Sequence, residues 1–281
     1  MAGLNHDVIP VSDAADPRLA EYRQLKEQAL KESSGRFIAE SEPVVRKLLQ
    51  SPLPVHSLLL TPLHLQRLAD VLRPGVPIYL AEPALLDQIA GFHVHRGCLA
   101  VGGRPIPIGV PPFARTVVVL EDLVDVDNVG AMARNAAAFD ADALLLSPRA
   151  ADPFYRKAIR VAMGTVFSLP ITRLGQWPAD LQALRERDGL TLVGTVLDQD
   201  ATPLAQFHWP ERVALLFGAE GPGLSPAAKA MCDHLITIPM ARDKADSLNV
   251  ATAGALFLHD RAQRRTASSL TTWPGSHPGA R

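Results

Sequence analysis

Val213-Ala-Leu-Leu-Phe217, then Gly218-Ala-Glu220-Gly221-Pro-Gly223-Leu-Ser225, then Pro226-Ala-Ala-Lys-Ala-Met231 reads as a strand, a glycine-rich loop and a helix. Working outward from it, short β-branched or leucine-rich runs recur at Val117–Leu120, Ala143–Leu146, Leu190–Gly194 and His234–Ile238. Helical windows lie between them at Gly130–Phe139, Pro153–Met163 and Trp177–Arg187, and an apolar helix is expected from Leu248 to Arg265. Strands alternating with helices predict an α/β fold with a parallel sheet covered on both faces.

The first half is a smaller α/β unit. Arg36-Phe-Ile-Ala-Glu40 leads into a helix over Glu42–Leu49, an apolar run over Ser57–Thr61 and a helix over Pro62–Val71. A strand at Pro77–Leu80, a helix at Pro83–Ile89 and the run Cys98–Val101 complete it. The stripe Leu19, Tyr22, Leu25 and Leu30 suggests a short amphipathic helix within Asp16–Ser33. These patterns divide the chain into a flexible arm (1–20), a first domain (21–101), a Pro/Gly-rich linker (102–112), a second domain (113–265) and a disordered tail (266–281).

Composition narrows the function. Of 281 residues 47% are apolar and 20% charged, so wholesale disorder is excluded. Lys plus Arg numbers 28 and Asp plus Glu 29, a net charge of −1 that excludes a histone-like polycation but leaves a local basic patch open. No apolar run approaches the roughly 18 residues of a membrane span, and Met1–Asp7 lacks the pattern of a secretory signal. Two cysteines, Cys98 and Cys232, suit neither a disulfide framework nor a zinc knuckle. The nine histidines show no metal-binding spacing, so no metal is expected. Cys232 has no histidine near it in sequence to serve as a base. A cytoplasmic protein is the expectation.

In parallel α/β sheets ligands bind beyond the carboxyl ends of the strands, so the loops there carry the chemistry. The first is Glu121-Asp-Leu-Val-Asp-Val-Asp127-Asn128-Val-Gly130, running into Ala-Met-Ala-Arg134. Asp127 or Asn128 suits a helix cap, Gly130 a close backbone approach, and Arg134 either a ligand contact or a plain surface position. The second is the glycine-rich loop, which matches neither the dinucleotide fingerprint nor a phosphate loop. It reads as a loop pressed against a flat ligand with Glu220 reaching a hydroxyl or amine, or as a tight turn with a solvated glutamate. The third is Ile238-Pro-Met240…Ser247-Leu248-Asn249-Val, where Ser247 suits the cap of the last helix and Asn249 its first turn.

Together the three loops resemble the motifs of the SpoU (TrmH) family of RNA ribose 2′-O-methyltransferases. The carriers are Asn128-x-Gly130-x-x-x-Arg134, Phe-Gly218-x-Glu220-Gly-x-Gly-Leu-Ser225, and Ile238-Pro-Met240…Ser247-Leu-Asn249-Val. The likeness spans residues 113–265, and Arg36–Leu49 with His95–Ala100 looks like the ribosomal-protein-like RNA-binding domain that precedes the catalytic domain in many members. The resemblance implies a trefoil-knotted methyltransferase domain, S-adenosyl-L-methionine as cofactor, a structured tRNA or rRNA as substrate, and a homodimer. It places Asn128, Arg134, Glu220, Ser247 and Asn249 at the polar active-site positions. Gly218, Ile238 and Leu248 become donor contacts, with Thr195 alongside.

The segment Ala241–Asp246 departs from the family pattern: it lacks the usual glycine and is one residue longer. This leaves a second reading, an inactive RNA-binding protein of the same fold. A nucleotide-dependent enzyme is rejected because the loop after the first strand of the second domain is acidic. Residues 134–160 hold five basic groups against three acidic, a modest patch suited to recognition of a structured RNA by shape.

Overall fold

The structure, a computed structural model, describes residues 7–23, 34–90, 97–241 and 243–270, with only the backbone given for 266–270. Its first half is β1 (Val8–Pro10), α1 (Ala20–Arg23), β2 (Arg36–Glu40), α2 (Glu42–Gln50), β3 (Val55–Leu60), α3 (Pro62–Leu68), β4 (Ile78–Leu80), α4 (Pro83–Ala90) and β5 (Cys98–Gly103). These strands form a five-stranded sheet in the order β1-β4-β3-β5-β2. The strands β1, β4 and β3 run parallel, whereas β5 is antiparallel to β3 and β2. Proline opens α3 and α4 and stands second in α2, where the first-turn N–H has no helical partner to lose.

The expected arm is ordered from Val8, because Val8 and Pro10 register with Ile78 and Leu80 and extend the sheet edge. Leu19 and Tyr22 are fully buried, and the Tyr22 hydroxyl meets Ser57 Oγ at 2.7 Å. Leu25, Leu30 and His95 lie outside the described residues. Gly102 and Gly103, expected in the linker, belong to β5. Gly102 pairs with Phe37, and a Cβ there would stand 2.3 Å from the Phe37 ring, so the glycine makes room for the aromatic.

The second half is β6 (Thr116–Leu120), α5 (Val126–Ala138), β7 (Ala143–Leu146), α6 (Arg156–Val161), β8 (Ile171–Arg173), α7 (Asp180–Glu186), β9 (Thr191–Thr195), β10 (Thr202–Pro203), β11 (Val213–Phe217), α8 (Pro226–Met231), β12 (His234–Thr237) and α9 (Val250–Leu270). All seven strands pair in parallel in the order β10-β12-β9-β11-β6-β7-β8. Every residue of β6, β7 and β11 is buried, as strands covered on both faces require. The last helix continues past Arg265 through Thr266-Ala-Ser-Ser-Leu270, since Pro274 and Gly275 come later. The rest of the expected tail, 271–281, lies outside the described residues.

The two sheets share a continuous core. The Phe37 ring of β2 lies 5.3 Å from Phe154 and 5.4 Å from Phe167, both in the second half. Arg104, just past β5, pairs with the buried Asp152 at 3.0 Å, and Arg156 lies 3.7 Å from Glu40. The connecting stretch is itself tied down: Gly109 N–H donates to Thr172 Oγ1 at 3.1 Å, and Arg212 donates to the carbonyls of Pro112 and Ala114. No described helix is long and apolar enough to cross a membrane.

Helices α5 and α6 press together at Gly130, where a Cβ would stand 2.6 Å from the Ala158 carbonyl oxygen. Backbone cannot move aside as a side chain can. Gly130→Ala therefore lowers stability by about 1–3 kcal/mol, and thermal unfolding checks this as a lower melting temperature.

Candidate functional site

The carboxyl ends of β9, β11 and β12 and the start of α9 enclose a cavity of about 590 Å³. Its wall takes Thr195 at the end of β9 and Val196–Asp198 after it, Phe217 at the end of β11 and Gly218–Leu224 of the glycine loop, Ile238 and Met240 after β12, and Ser247–Val250. The glycine loop turns back on itself. Ala219 N–H donates to the Gly223 carbonyl at 3.2 Å and Gly223 N–H to the Ala219 carbonyl at 3.0 Å. A Cβ at Gly218 would stand 2.0 Å from the Gly223 carbonyl carbon, so no side chain fits there. Gly221 and Gly223 take φ of 89° and 70°, the left-handed region that glycine enters freely. Ser225 ends the loop and caps α8, its Oγ accepting from Ala228 N–H at 3.1 Å.

A chain of side-chain hydrogen bonds crosses three loops at this cavity. Asn128 Nδ2 donates to Glu220 Oε1 at 2.9 Å, and Asn249 Nδ2 donates to Asn128 Oδ1 at 2.8 Å. Asn249 Oδ1 in turn accepts from Ala251 N–H at 2.9 Å and Thr252 N–H at 3.3 Å. Every amide orientation follows from its neighbour. Ionised Glu220 only accepts, which turns the Asn128 amine toward it and leaves the Asn128 carbonyl for the Asn249 amine.

The caps differ from the sequence reading. Asp125 caps α5, accepting from Asp127 N–H at 2.7 Å, because that helix starts at Val126; Asn128 and Gly130 therefore lie inside it. Asn249 caps α9, which starts at Val250, while Ser247 sits two residues earlier, exposed on the cavity wall. In the segment before Ser247, Lys244 N–H and Ala245 N–H both donate to the Ala241 carbonyl, and Met240 and Ser247 on either side of it line the cavity.

Of the residues singled out from sequence, Thr195, Gly218, Glu220, Ile238, Ser247, Leu248 and Asn249 line the cavity, and Asn128 is bonded to two of them. Arg134 is not brought to that wall. It is exposed on α5 six residues beyond Asn128, where the helical twist turns it away from the Asn128 face. Near the start of α5, Lys157 pairs with Asp127 at 2.7 Å, and Arg149 and Arg160 are exposed as well.

Three features escaped the sequence reading: Val196–Asp198, Lys229, and Glu121, the first residue past β6. Glu121 is 3% exposed; its Oε1 accepts from Trp177 Nε1 at 2.6 Å and its Oε2 from Ser225 N–H at 2.8 Å. A carboxylate directly after the apolar run Val117–Leu120 was the available signal. Burial pushes the Cys232 thiol up to about 12, so it stays protonated, and its Sγ donates to the Ala228 carbonyl. Among the described residues no group of three or more His, Cys, Asp and Glu side chains is placed to hold a metal.

The SpoU rRNA Methylase family matches this chain over residues 115–259. An uncharacterized tRNA/rRNA methyltransferase of Mycobacterium tuberculosis is 40% identical over 270 residues, 92% of this chain and 92% of its own. The 23S rRNA (guanosine-2′-O-)-methyltransferase RlmB of Salmonella typhi is 32% identical over 203 residues, 68% of this chain and 81% of its own. A solved structure of an AdoMet-bound rRNA methyltransferase from Sinorhizobium meliloti superposes with a TM-score of 0.80 at 25% identity, covering 92% of this chain and 98% of that one.

The double role of Asn249 is separable. Asn249→Ala removes the cap of α9 and the donor to Asn128, and costs about 1 kcal/mol of stability. Asn249→Asp keeps a capping oxygen and loses only the donor, so chemical denaturation should show a clearly smaller loss for it.

Proposed function

Because the chain belongs to the SpoU rRNA Methylase family, we propose that it transfers a methyl group from S-adenosylmethionine to a ribose 2′-hydroxyl of ribosomal or transfer RNA. The observation that carries this reading is the Asn249–Asn128–Glu220 chain standing at a cavity built on a glycine-rich loop.

The cavity fits such a donor. The glycine loop, folded tightly on itself at Gly218, lines one wall, while Leu197, Ile238 and Leu248 offer apolar surface to a flat ring. The carboxylates of Asp198 and Glu220 suit a cation. Gly218, Ile238 and Leu248 hold the donor through their backbone, with Thr195 fixed beside them by its hydroxyl bond to the Leu216 carbonyl at 2.9 Å. When bound, S-adenosylmethionine supplies an electrophilic methyl carbon on a sulfonium.

The protein's task is then largely positioning, because the ribose oxygen must lie in line behind that carbon: the methyl–sulfur bond would break as the oxygen–methyl bond forms, sulfur keeping the electron pair and the hydroxyl proton leaving to solvent. Ser247 and Asn249 orient the ribose, while Glu220, held by Asn128, keeps the loops in register. Arg134, exposed on α5 away from that wall, clamps a phosphate of the bound RNA through its bidentate guanidinium. The five-stranded sheet carries the RNA-binding role, with the exposed Lys157, Arg160 and Arg149 extending the phosphate-facing surface. A trefoil knot belongs to this reading. So do a homodimer and a cytoplasmic location. The inactive alternative rested on the longer segment before Ser247, and that segment leaves the cavity wall formed.

Two measurements test the proposal. Mass-spectrometric nucleoside analysis of ribosomal and transfer RNA from cells lacking the gene should show the loss of one 2′-O-methylated nucleoside; unchanged pools in both RNA classes contradict it. Arg134→Lys, which keeps charge but loses the bidentate fork, should lower turnover by about tenfold or more while leaving donor affinity in place; near-normal turnover removes Arg134 from the mechanism.

A further inference from the structure

The glycine loop has little of its own to keep its shape. Residues 218, 221 and 223 carry no side chain, and its internal support is the paired backbone of Ala219 and Gly223 with the buried Leu224. Its two ends are gripped by one residue. Glu121 N–H donates to the carbonyl of Phe217, the residue before the loop, at 2.8 Å. Glu121 Oε2 accepts from the N–H of Ser225, the residue after it, at 2.8 Å. The other carboxylate oxygen is braced by Trp177 Nε1 at 2.6 Å. The side chain does not line the cavity and is 3% exposed. A buried carboxylate is costly unless donors satisfy it, and here both oxygens have one.

We propose that Glu121 is a positioning residue, a buried clamp that closes the glycine loop into the shape that accepts the methyl donor. The identity of that ligand rests on the function proposed above; the clamp rests on the geometry. Its chemistry demands a carboxylate. Both partners are N–H donors, and a glutamine in its place has a single acceptor oxygen, so either Trp177 or Ser225 would face an amide NH₂. Aspartate is one methylene shorter and cannot keep both partners from the same backbone position. The clamp therefore sets donor affinity through the loop without touching the donor.

The test compares the wild-type chain with Glu121→Gln and Trp177→Phe. In the ligand-free proteins, hydrogen exchange at residues 218–225 should quicken in Glu121→Gln, most at the Ser225 N–H, with the sheets protected as in wild type. Calorimetry with S-adenosylmethionine should show affinity lower by about tenfold or more. In turnover the donor KM should rise with kcat at saturating donor and the RNA KM little changed. Trp177→Phe keeps the Ser225 bond and should give a smaller shift in the same two readouts, and it carries the test if Glu121→Gln does not fold. Wild-type exchange and donor affinity in Glu121→Gln, or a uniform loss of protection across the fold, overturns the clamp. A wild-type chain that binds no S-adenosylmethionine overturns the function proposed above, and the exchange arm still decides the clamp.

Discussion

Backbone meets backbone where Gly218 faces Gly223 and Leu224: a Cβ at 218 would stand 2.0 Å from one carbonyl carbon and 2.1 Å from the next amide nitrogen. That approach lets the chain leave β11, double back and enter α8 through the eight residues 218–225. It lets the loop close tightly on its own backbone, and the folded-back loop forms one wall of the cavity. β11 lies between β9 and β6, so the loop it launches opens directly onto the loop after β9 and the start of α9. Much of the site follows from this fold-back.

Three segments distant in sequence are then locked by side-chain hydrogen bonding. Glu220 comes from the glycine loop, Asn128 from the first turns of α5 and Asn249 from the cap of α9. Since Asn249 spends its carbonyl on the helix N–H groups, the start of α9 and the polar chain form together. Asn135 Nδ2 donates to the Ala251 carbonyl at 2.7 Å, and Gly254 admits Met132, so α9 is docked on α5 by packing as well. The smaller sheet is attached just as firmly, through Phe37 against Phe154 and Phe167 and through Arg104 on Asp152. A surface that bound RNA on that sheet would be held at a defined position relative to the cavity.

Much of the larger sheet was legible because its central strands are buried on both faces and read as unbroken apolar runs. Ala143–Leu146, Val213–Phe217 and the helix Pro226–Met231 have the bounds expected from sequence. The strands missed were β1, β8 and β10, of three, three and two residues, too short for any periodicity to show. The caps were misplaced by two or three residues because Asp125, Asp127 and Asn128, like Ser247 and Asn249, are all competent capping types. At the cavity, residues adjacent in motifs were legible; for Arg134 the residues left a ligand contact and a plain surface position open, and helical twist decides for the outward placement. Glu121 was hidden for a related reason: its partners are Trp177 and the Ser225 amide, far away in sequence.

The most direct test of the account is calorimetric titration of the wild-type chain and of Gly218→Ala with S-adenosylhomocysteine, the product form of the donor. Saturable binding to the wild type, lost in a Gly218→Ala protein whose circular dichroism shows it folded, is the predicted result. Equal binding by both proteins, or none by the wild type, contradicts the claim that the fold-back at Gly218 makes the donor site.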